Sequence, residues 1–444
     1  MFAEHVLLKK GLRNDSLWTI HFSYRLFRRI PFFFDMHVLL KSQYWPRARI
    51  ETITRKRIAA LIRDSNMVPF WRDVFSRSGV DPYVFAADDL SKLPITSKKN
   101  LLDRDVGYIT NERYINGSFW DRTSGSTGMP FRFYQDRGYV LRMYALCERM
   151  LRTAGGGRRF PVISMRARER QGFAFTSYAF FFIGGYNFIR HRFKDFVALA
   201  SSHKKGFILY GFVSPLLELA RVMREKNIFL PIRGVIATGE ELLPEARGVM
   251  AEAFGANIYT CYPAQELGWL AFECEHHKLH INEESYLVEI IDIQGHSTPA
   301  GDEGRVVVTA FEQRVMPFIR YFTGDLGTID TTPCTCGRTL RTMRLKGREA
   351  HMIELTRGRK VPLLELASVF DRFFQSIRQY QIVHTAPLAF TVKVIPGKLY
   401  DEQKAAMERA LMEKMLPTVR ITWEIVDDIP PAASGKAVYF VRTF

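Results

Sequence analysis

Four short apolar runs punctuate the middle of the chain: Phe160 to Met165, Phe207 to Gly211, Gly234 to Thr238 and Ile258 to Thr260. Between the later ones lie segments with helical spacing, Ser214 to Arg224 and Pro244 to Phe254. Runs this short and this apolar suit strands covered on both faces, and strands alternating with helices form a largely parallel sheet. The expected fold class is therefore α/β. Ligands of such sheets bind beyond the C-terminal ends of the strands. Gly239-Glu240 and Tyr262-Pro263-Ala264-Gln265-Glu266 both fall just after expected strands, where that rule puts a ligand.

The pattern changes along the chain. Ile50 to Arg63 has helical spacing, with Ile53, Ile58, Leu61 and Ile62 as core candidates, and Tyr139 to Thr153 is a helix stopped by Gly155-Gly156-Gly157. Gln171 to Ile189 is the longest uncharged stretch, but Gly184, Gly185 and Asn187 make it buried strand or pocket wall, not a membrane span. From Leu279 onward hairpins are expected, with strands at Leu287 to Ile293, Gly304 to Thr309 and Phe318 to Tyr321. A last module of α+β pattern follows, with strands near Met352–Leu355, Ile382–Val383, Phe390–Ile395 and Thr422–Val426 and helices near Leu363–Phe374 and Asp401–Lys414. The expected organisation is a basic aromatic segment at 1–42, a large domain at 43–346 with a β subdomain at about 275–345, and a small mobile domain at 347–444.

Asp121 to Pro130, DRTSGSTGMP, concentrates hydroxyls and glycines: Thr123, Ser124, Gly125, Ser126, Thr127 and Gly128. Glycines let a backbone bring its N–H groups up to an anion, and hydroxyls add donors, which suits a polyphosphate cradle. No Gly-Lys-Ser/Thr follows, so this is not a Walker loop. The alternating Phe131-Arg132-Phe133-Tyr134 behind it makes the loop a hairpin connection and not a linker.

Three more pieces follow in fixed order: Tyr262 to Glu266, then Tyr321-Phe322-Thr323-Gly324-Asp325, then Ser434-Gly435-Lys436. With the hydroxyl-rich loop in front, the chain from about Gln43 resembles the adenylate-forming superfamily of acyl-CoA synthetases. Within it the chain is most similar to the phenylacetate–CoA ligase group and its CapK-like relatives of capsular polysaccharide biosynthesis. The resemblance implies ATP-dependent activation of a small carboxylic acid to an acyl-adenylate, with pyrophosphate released. Thioester formation with CoA or a carrier-protein thiol follows, in cell-surface polysaccharide assembly or secondary metabolism. It implies that Ser124 to Gly128 cradle the β- and γ-phosphates, with Thr123, Gly239 and Glu240 also at the nucleotide. Tyr262 would stack on adenine, Glu266 ligate Mg²⁺ and Asp325 bind the ribose hydroxyls. Arg348 would contact ribose or phosphate, and Lys436 reach the α-phosphate and the substrate carboxylate. Pro263 and Gln265 stand where the family has Gly and Thr, and Ala350 and His351 where it has its acidic hinge. The hinge departure bears on the thioester step more than on adenylation. The alternative is a catalytically weak scaffold or membrane-peripheral partner in polysaccharide assembly.

Phe181, Tyr186, Tyr210 and Gly211 come from aromatic-rich stretches that fit either an acyl or aryl pocket or plain core. Cys274 and His280 sit around one expected hairpin, Cys334 and Cys336 on another. Thiolates with an imidazole suit a structural Zn²⁺, and reduced free cysteines are the other reading. His276 and His277 compete with His280 for the fourth position.

A formal charge of +17 and a pI near 9.7 favour anionic partners such as nucleotides, CoA, acidic carrier proteins or membrane surfaces. Nucleic acid is set aside, because no basic helix carries DNA- or RNA-binding spacing. Residues 1–60 hold twelve Lys/Arg against four Asp/Glu, interleaved with Phe22, Tyr24 and Phe27. That fits a helix lying on anionic lipid or, by the default for amphipathic helices, one packed on its own domain. Lys9, Lys10, Arg13 and Asp15 interrupt any signal-peptide core, and five cysteines in 444 residues fit a reducing cytoplasm.

Overall fold

The computed structural model describes residues 31–444, apart from 103, 124–130, 157–159, 166–173, 176–179, 184–185, 350–351, 357–358, 374–375, 417 and 431–437. Three helices come first, α1 (Pro31–Ser42), α2 (Arg47–Ser65) and α3 (Pro69–Ser78), then the two-residue strand β1 (Thr96–Ser97). Helix α2 buries Ile58, Leu61 and Ile62 as its spacing asks, and Ile50 in place of the half-buried Ile53. Next comes the hairpin β2 (Phe119–Arg122) and β3 (Arg132–Gln135), followed by α4 (Arg137–Ala154), capped by the Asp136 carboxylate on the Tyr139 N–H.

The α/β expectation is borne out. The alternating region contains β4 (Val162–Met165), β5 (Ala174–Phe175), β6 (Phe180–Ile183), α5 (Tyr186–Ser202), β7 (Phe207–Phe212), α6 (Val213–Glu225), β8 (Ile232–Thr238), α7 (Pro244–Phe254) and β9 (Ile258–Ala264). Strands β6, β4, β7, β8 and β9 lie side by side and parallel. Successive side chains of a strand point to opposite faces. Ile163, Leu209 and Val235 accordingly pack with α5, α6 and α7, while Val162, Ile208 and Ile236 pack with Met150, Leu151 and Ala154 of α4. Gly234 permits this second contact, because a Cβ there would stand 1.6 Å from the Ala154 carbonyl oxygen.

At β9 the sheet changes character. Its next neighbours, β10 (Gly268–Glu273), β11 (Leu279–Ile281), β12 (Tyr286–Ile291), β13 (Gly304–Ala310), β14 (Tyr321–Ile329) and β15 (Thr342–Arg348), are antiparallel, in the order β9-β10-β11-β15-β14-β13-β12. One continuous sheet thus has a parallel half and an antiparallel half, with the seam between β9 and β10. Two expectations are corrected here. Tyr262, Pro263 and Ala264 lie inside β9, not after it. The strand expected at Phe318 to Tyr321 begins only at Tyr321, because Arg320 takes a left-handed φ of 46° and ends the preceding loop.

The C-terminal module has its own core around Leu366, Phe370, Val392 and Leu411. It consists of the hairpin β16 (Met352–Thr356) and β17 (Arg359–Pro362), helix α8 (Leu363–Arg372), strands β18 (Ile377–Ala386) and β19 (Ala389–Pro396), helix α9 (Tyr400–Lys414), and strands β20 (Arg420–Ile425) and β21 (Phe440–Arg442). The four-stranded order is β20-β19-β18-β21. Arg221 of α6 reaches across to it, donating to the Arg378 carbonyl at 3.2 Å.

At the other end of the chain, α1 is built into the large body. Leu39 is fully buried, and Arg149 of α4 donates to its carbonyl at 2.8 Å. For residues 31–42 the packed-helix reading therefore holds; Phe22, Tyr24 and Phe27 lie outside the described residues. Among the described residues no helix is long and apolar enough to cross a membrane.

Candidate active site at the sheet seam

The expected motif pieces that are described come together where β9 and β15 end, beside the first half of β14. Asp325 on β14 and Arg348 on β15 are register partners, and Arg348 Nε stands 3.1 Å from Asp325 Oδ1. The Tyr262 hydroxyl, arriving from β9, donates to Asp325 Oδ2 at 2.5 Å and lies 3.1 Å from Thr323 Oγ1. Burial, with the Asp325 carboxylate second, pushes the Tyr262 phenol well above its ordinary value, so it stays a donor. Asp325 is thus held by a cation and a phenol, and it is buried, with 8% of its surface exposed. Arg348 remains about half exposed and can turn to a ligand.

Glu266 sits in the turn between β9 and β10. Its carboxylate Oε1 accepts from the Tyr321 hydroxyl at 2.9 Å, and its backbone carbonyl accepts from the Gln313 amide. Neither partner was singled out from sequence, although Tyr321 opens the segment that ends in Asp325. Gln265, one of the residues that depart from the pattern of the resembled family, donates to the Arg122 carbonyl at 2.9 Å and lies 3.3 Å from Asp121 Oδ2. It ties the Glu266 turn to hairpin β2–β3. That hairpin is closed at its tip side by Thr123, which donates its N–H to the Phe131 carbonyl at 2.9 Å and accepts the Phe131 N–H at 3.1 Å. Ser124, Gly125, Ser126, Thr127 and Gly128, expected to cradle phosphate, lie outside the described residues, as do Lys436, Ala350 and His351.

Gly239 follows β8 with a φ of 75°, and a Cβ there would come within 2.2 Å of the Phe212 ring. Only glycine fits that turn. Its neighbour Glu240 is engaged structurally: its carboxylate accepts the Ser214 N–H at 2.7 Å and hydroxyl at 2.9 Å, capping the start of α6. Tyr210 on β7 packs edge-to-face on Trp269 of β10, with ring centroids 6.2 Å apart. Gly211 packs against β4, where a Cβ would lie 2.8 Å from the Met165 carbonyl oxygen. Phe181 falls on β6 and Tyr186 opens α5.

The second expected cluster also assembles. Cys274 follows β10, His280 lies on β11, and Cys334 and Cys336 occupy the β14–β15 connection. Their ligand atoms lie within 4.8 Å of one another. Cys274 Sγ is 3.7 Å from Cys334 Sγ, and Cys336 Sγ is 3.3 Å from His280 Nε2. The His280 Nδ1 sits 2.9 Å from the Leu340 carbonyl, which fixes the tautomer and leaves Nε2 as a lone-pair donor toward the cysteines. Burial lowers His280 to about 4 and raises Cys274 to about 12. Against the pull of burial, the Arg338 backbone N–H and guanidinium hold Cys336 below its usual value. His276 and His277 point elsewhere, to Thr335 at 3.2 Å and Arg247 at 2.9 Å.

Comparisons with known proteins agree with this geometry. A curated phenylacetate-coenzyme A ligase from Thermus thermophilus is 26% identical over 361 residues, 76% of this chain and 79% of that protein. A solved 2-hydroxyisobutyryl-CoA ligase in the postadenylation state, in complex with 2-HIB-AMP, superposes with a TM-score of 0.73 at 19% identity over 91% of both chains. The chain has the adenylate-forming fold. Residues 353–443 match the family described as the CapK C-terminal domain. The resemblance to the phenylacetate–CoA ligase and CapK-like group is therefore borne out. The same ligase in its thioesterification state, with 2-HIB-AMP and CoA, gives a TM-score of 0.58 at 19% identity, over 90% of this chain and 91% of that one.

Proposed function

We propose that this protein is an AMP-forming acid–thiol ligase. A carboxylate oxygen of a small organic acid attacks the α-phosphorus of ATP, the bond to pyrophosphate breaks, and the acyl group passes from the adenylate to the thiol of CoA. The observation that supports this best is the meeting of Tyr262, Glu266, Asp325 and Arg348 at one seam from segments up to 86 residues apart. The kinship with acid–CoA ligases supports it independently.

The chemistry needs alignment and charge stabilisation more than covalent help. Asp325 offers its carboxylate to the ribose hydroxyls, a charge-assisted pairing, with Arg348 beside it for ribose or phosphate. Tyr262 and Gly239 border the adenine. Glu266 supplies an oxygen ligand of the kind Mg²⁺ takes, usually alongside substrate phosphates. Residues 124–128 take the β- and γ-phosphates, and Lys436 the α-phosphate, as the resemblance implies. The setting, polysaccharide assembly or secondary metabolism, rests on the CapK-like resemblance.

The cysteine–histidine cluster is read as a structural zinc site. A tetrahedral zinc with Zn–S of about 2.3 Å and Zn–N of about 2.0 Å spaces two sulfurs ~3.8 Å apart, and sulfur from nitrogen ~3.5 Å. The separations of 3.7 and 3.3 Å fit that geometry. Four protein ligands leave no open position, so the metal would brace the antiparallel half and take no part in the reaction.

The activity is tested by ATP–pyrophosphate exchange across a panel of aliphatic, aryl and amino acids, with ATP·Mg²⁺ binding measured by calorimetry. Exchange dependent on one acid class is expected. Neither binding nor exchange with any acid would instead leave the scaffold reading.

A further inference from the structure

We propose that Tyr321 is a positioning residue for Glu266: its hydroxyl fixes one carboxylate oxygen so that the other is presented to the cation that accompanies ATP. The inference rests on the reading of Glu266 as the Mg²⁺ ligand.

A glutamate in a turn has three rotatable bonds, and ordering it on metal binding costs side-chain entropy. Here that ordering is already in place. Gln313 holds the Glu266 backbone carbonyl, and Tyr321 holds Oε1 at 2.9 Å, leaving Oε2 without a bond to either. Tyr321 is itself immobilised. It is 2% exposed, its ring meets the Phe318 ring edge-on at a centroid distance of 5.0 Å, and its backbone is paired on both sides, with Thr96 of β1 and Val308 of β13. A carboxylate oxygen only accepts, so in the bond to Glu266 the Tyr321 hydroxyl is the donor. Partners behind a metal ligand commonly tune affinity by about 10- to 100-fold.

The test compares wild type, Tyr321→Phe and Glu266→Gln by Mg²⁺ titration of ATP–pyrophosphate exchange and, apart from turnover, by calorimetric titration of Mg²⁺ into enzyme carrying a non-hydrolysable ATP analogue. Tyr321→Phe keeps the ring and its contact with Phe318, so thermal melting verifies the fold. The expected result is a half-saturating Mg²⁺ concentration raised about 10- to 100-fold, with the deficit overcome at high Mg²⁺. Two results overturn the proposal: a wild-type Mg²⁺ curve for Tyr321→Phe, or a lowered rate that added Mg²⁺ does not restore. Glu266→Gln separates the two levels of the argument. If it leaves the Mg²⁺ response intact, the reading of Glu266 fails and this inference with it. If it alters the response while Tyr321→Phe does not, only the role of Tyr321 is lost.

Discussion

Arg149→Met should destabilise the large body by about 3–5 kcal/mol at neutral pH, the usual cost of stranding one member of a buried ion pair. The Arg149 side chain is fully buried and that of Glu284 is 4% exposed. The pair is bidentate, with Nη1 to Oε1 at 2.7 Å and Nη2 to Oε2 at 3.2 Å. Arg149 also donates to Asn282 Oδ1 at 2.5 Å, and Ser42 donates to Glu284 Oε1 at 2.5 Å. Methionine can follow the arginine stem, so the loss falls mainly on the carboxylate left behind. The pH dependence gives a second check. Burial raises the Glu284 carboxyl and Arg149 lowers it, with a net shift below the ordinary value. A depressed folded pKa contributes stability above the unfolded value of about 4.3, and that contribution is lost as pH falls through the folded pKa. In Arg149→Met the main opposition to burial is gone while the Ser42 hydroxyl still donates to Glu284, so Glu284 protonates more readily and the gap to wild type should narrow toward acid pH. Urea denaturation followed by tryptophan fluorescence measures the gap, since Trp71 and Trp269 both lie in this body. Arg149→Met/Glu284→Gln should recover part of the loss. A gap below about 1 kcal/mol, the range of an exposed pair, or one that widens on acidification, would refute the reasoning.

Purified protein should carry about one zinc per chain, given four protein ligands, and Cys336→Ser should lose it; metal analysis of chelator-free preparations decides. Lys436→Ala should cut adenylate formation by roughly 10²–10³-fold, as for loss of one transition-state donor. ATP affinity and the use of preformed acyl-adenylate should be little changed, which single-turnover assays of each half-reaction can separate. Gly239→Ala places a methyl against the Phe212 ring at a φ of 75°; nucleotide affinity by calorimetry should fall, while substitution at the open Gly248 should leave it unaltered.

Local pattern made the parallel half legible. Pro244 to Phe254 is a helix with the expected bounds, because Pro opens it and Gly255 closes it with a left-handed φ of 58°. The seam was harder. Pro263 looks like a strand breaker, yet it pairs with Trp269 near the very end of β9, where a missing N–H is tolerated. Phe318 and Ile319 look like strand residues, yet they are buried loop residues ahead of Arg320. The family resemblance carried by the motifs placed Glu266 and Asp325 at one site, because each motif is local and can be recognised in sequence. The partners that orient them are not local. Tyr321 meets Glu266 across 55 residues and Arg149 meets Glu284 across 135, and only the sheet order brings such pairs together. Glu240 shows the converse: its position after a strand is right, but its carboxylate is committed to Ser214.

The cysteine–histidine cluster lies at the ends of β10 and β15 opposite to Glu266 and Arg348. Strand β10 runs from Gly268, beside Glu266, to Glu273, beside Cys274, and β15 runs from Thr342, near Cys336, to Arg348. Each strand spans roughly 20 Å at ~3.3 Å per residue. A zinc binding the two hairpins together at that end would act as a splint, because neither could slide by a residue against the other without breaking it. Metal content would then govern alignment at a distance. Partly metallated preparations should show a mixture of correctly and incorrectly registered sites, with a lowered fraction of active molecules and not a uniformly slower enzyme.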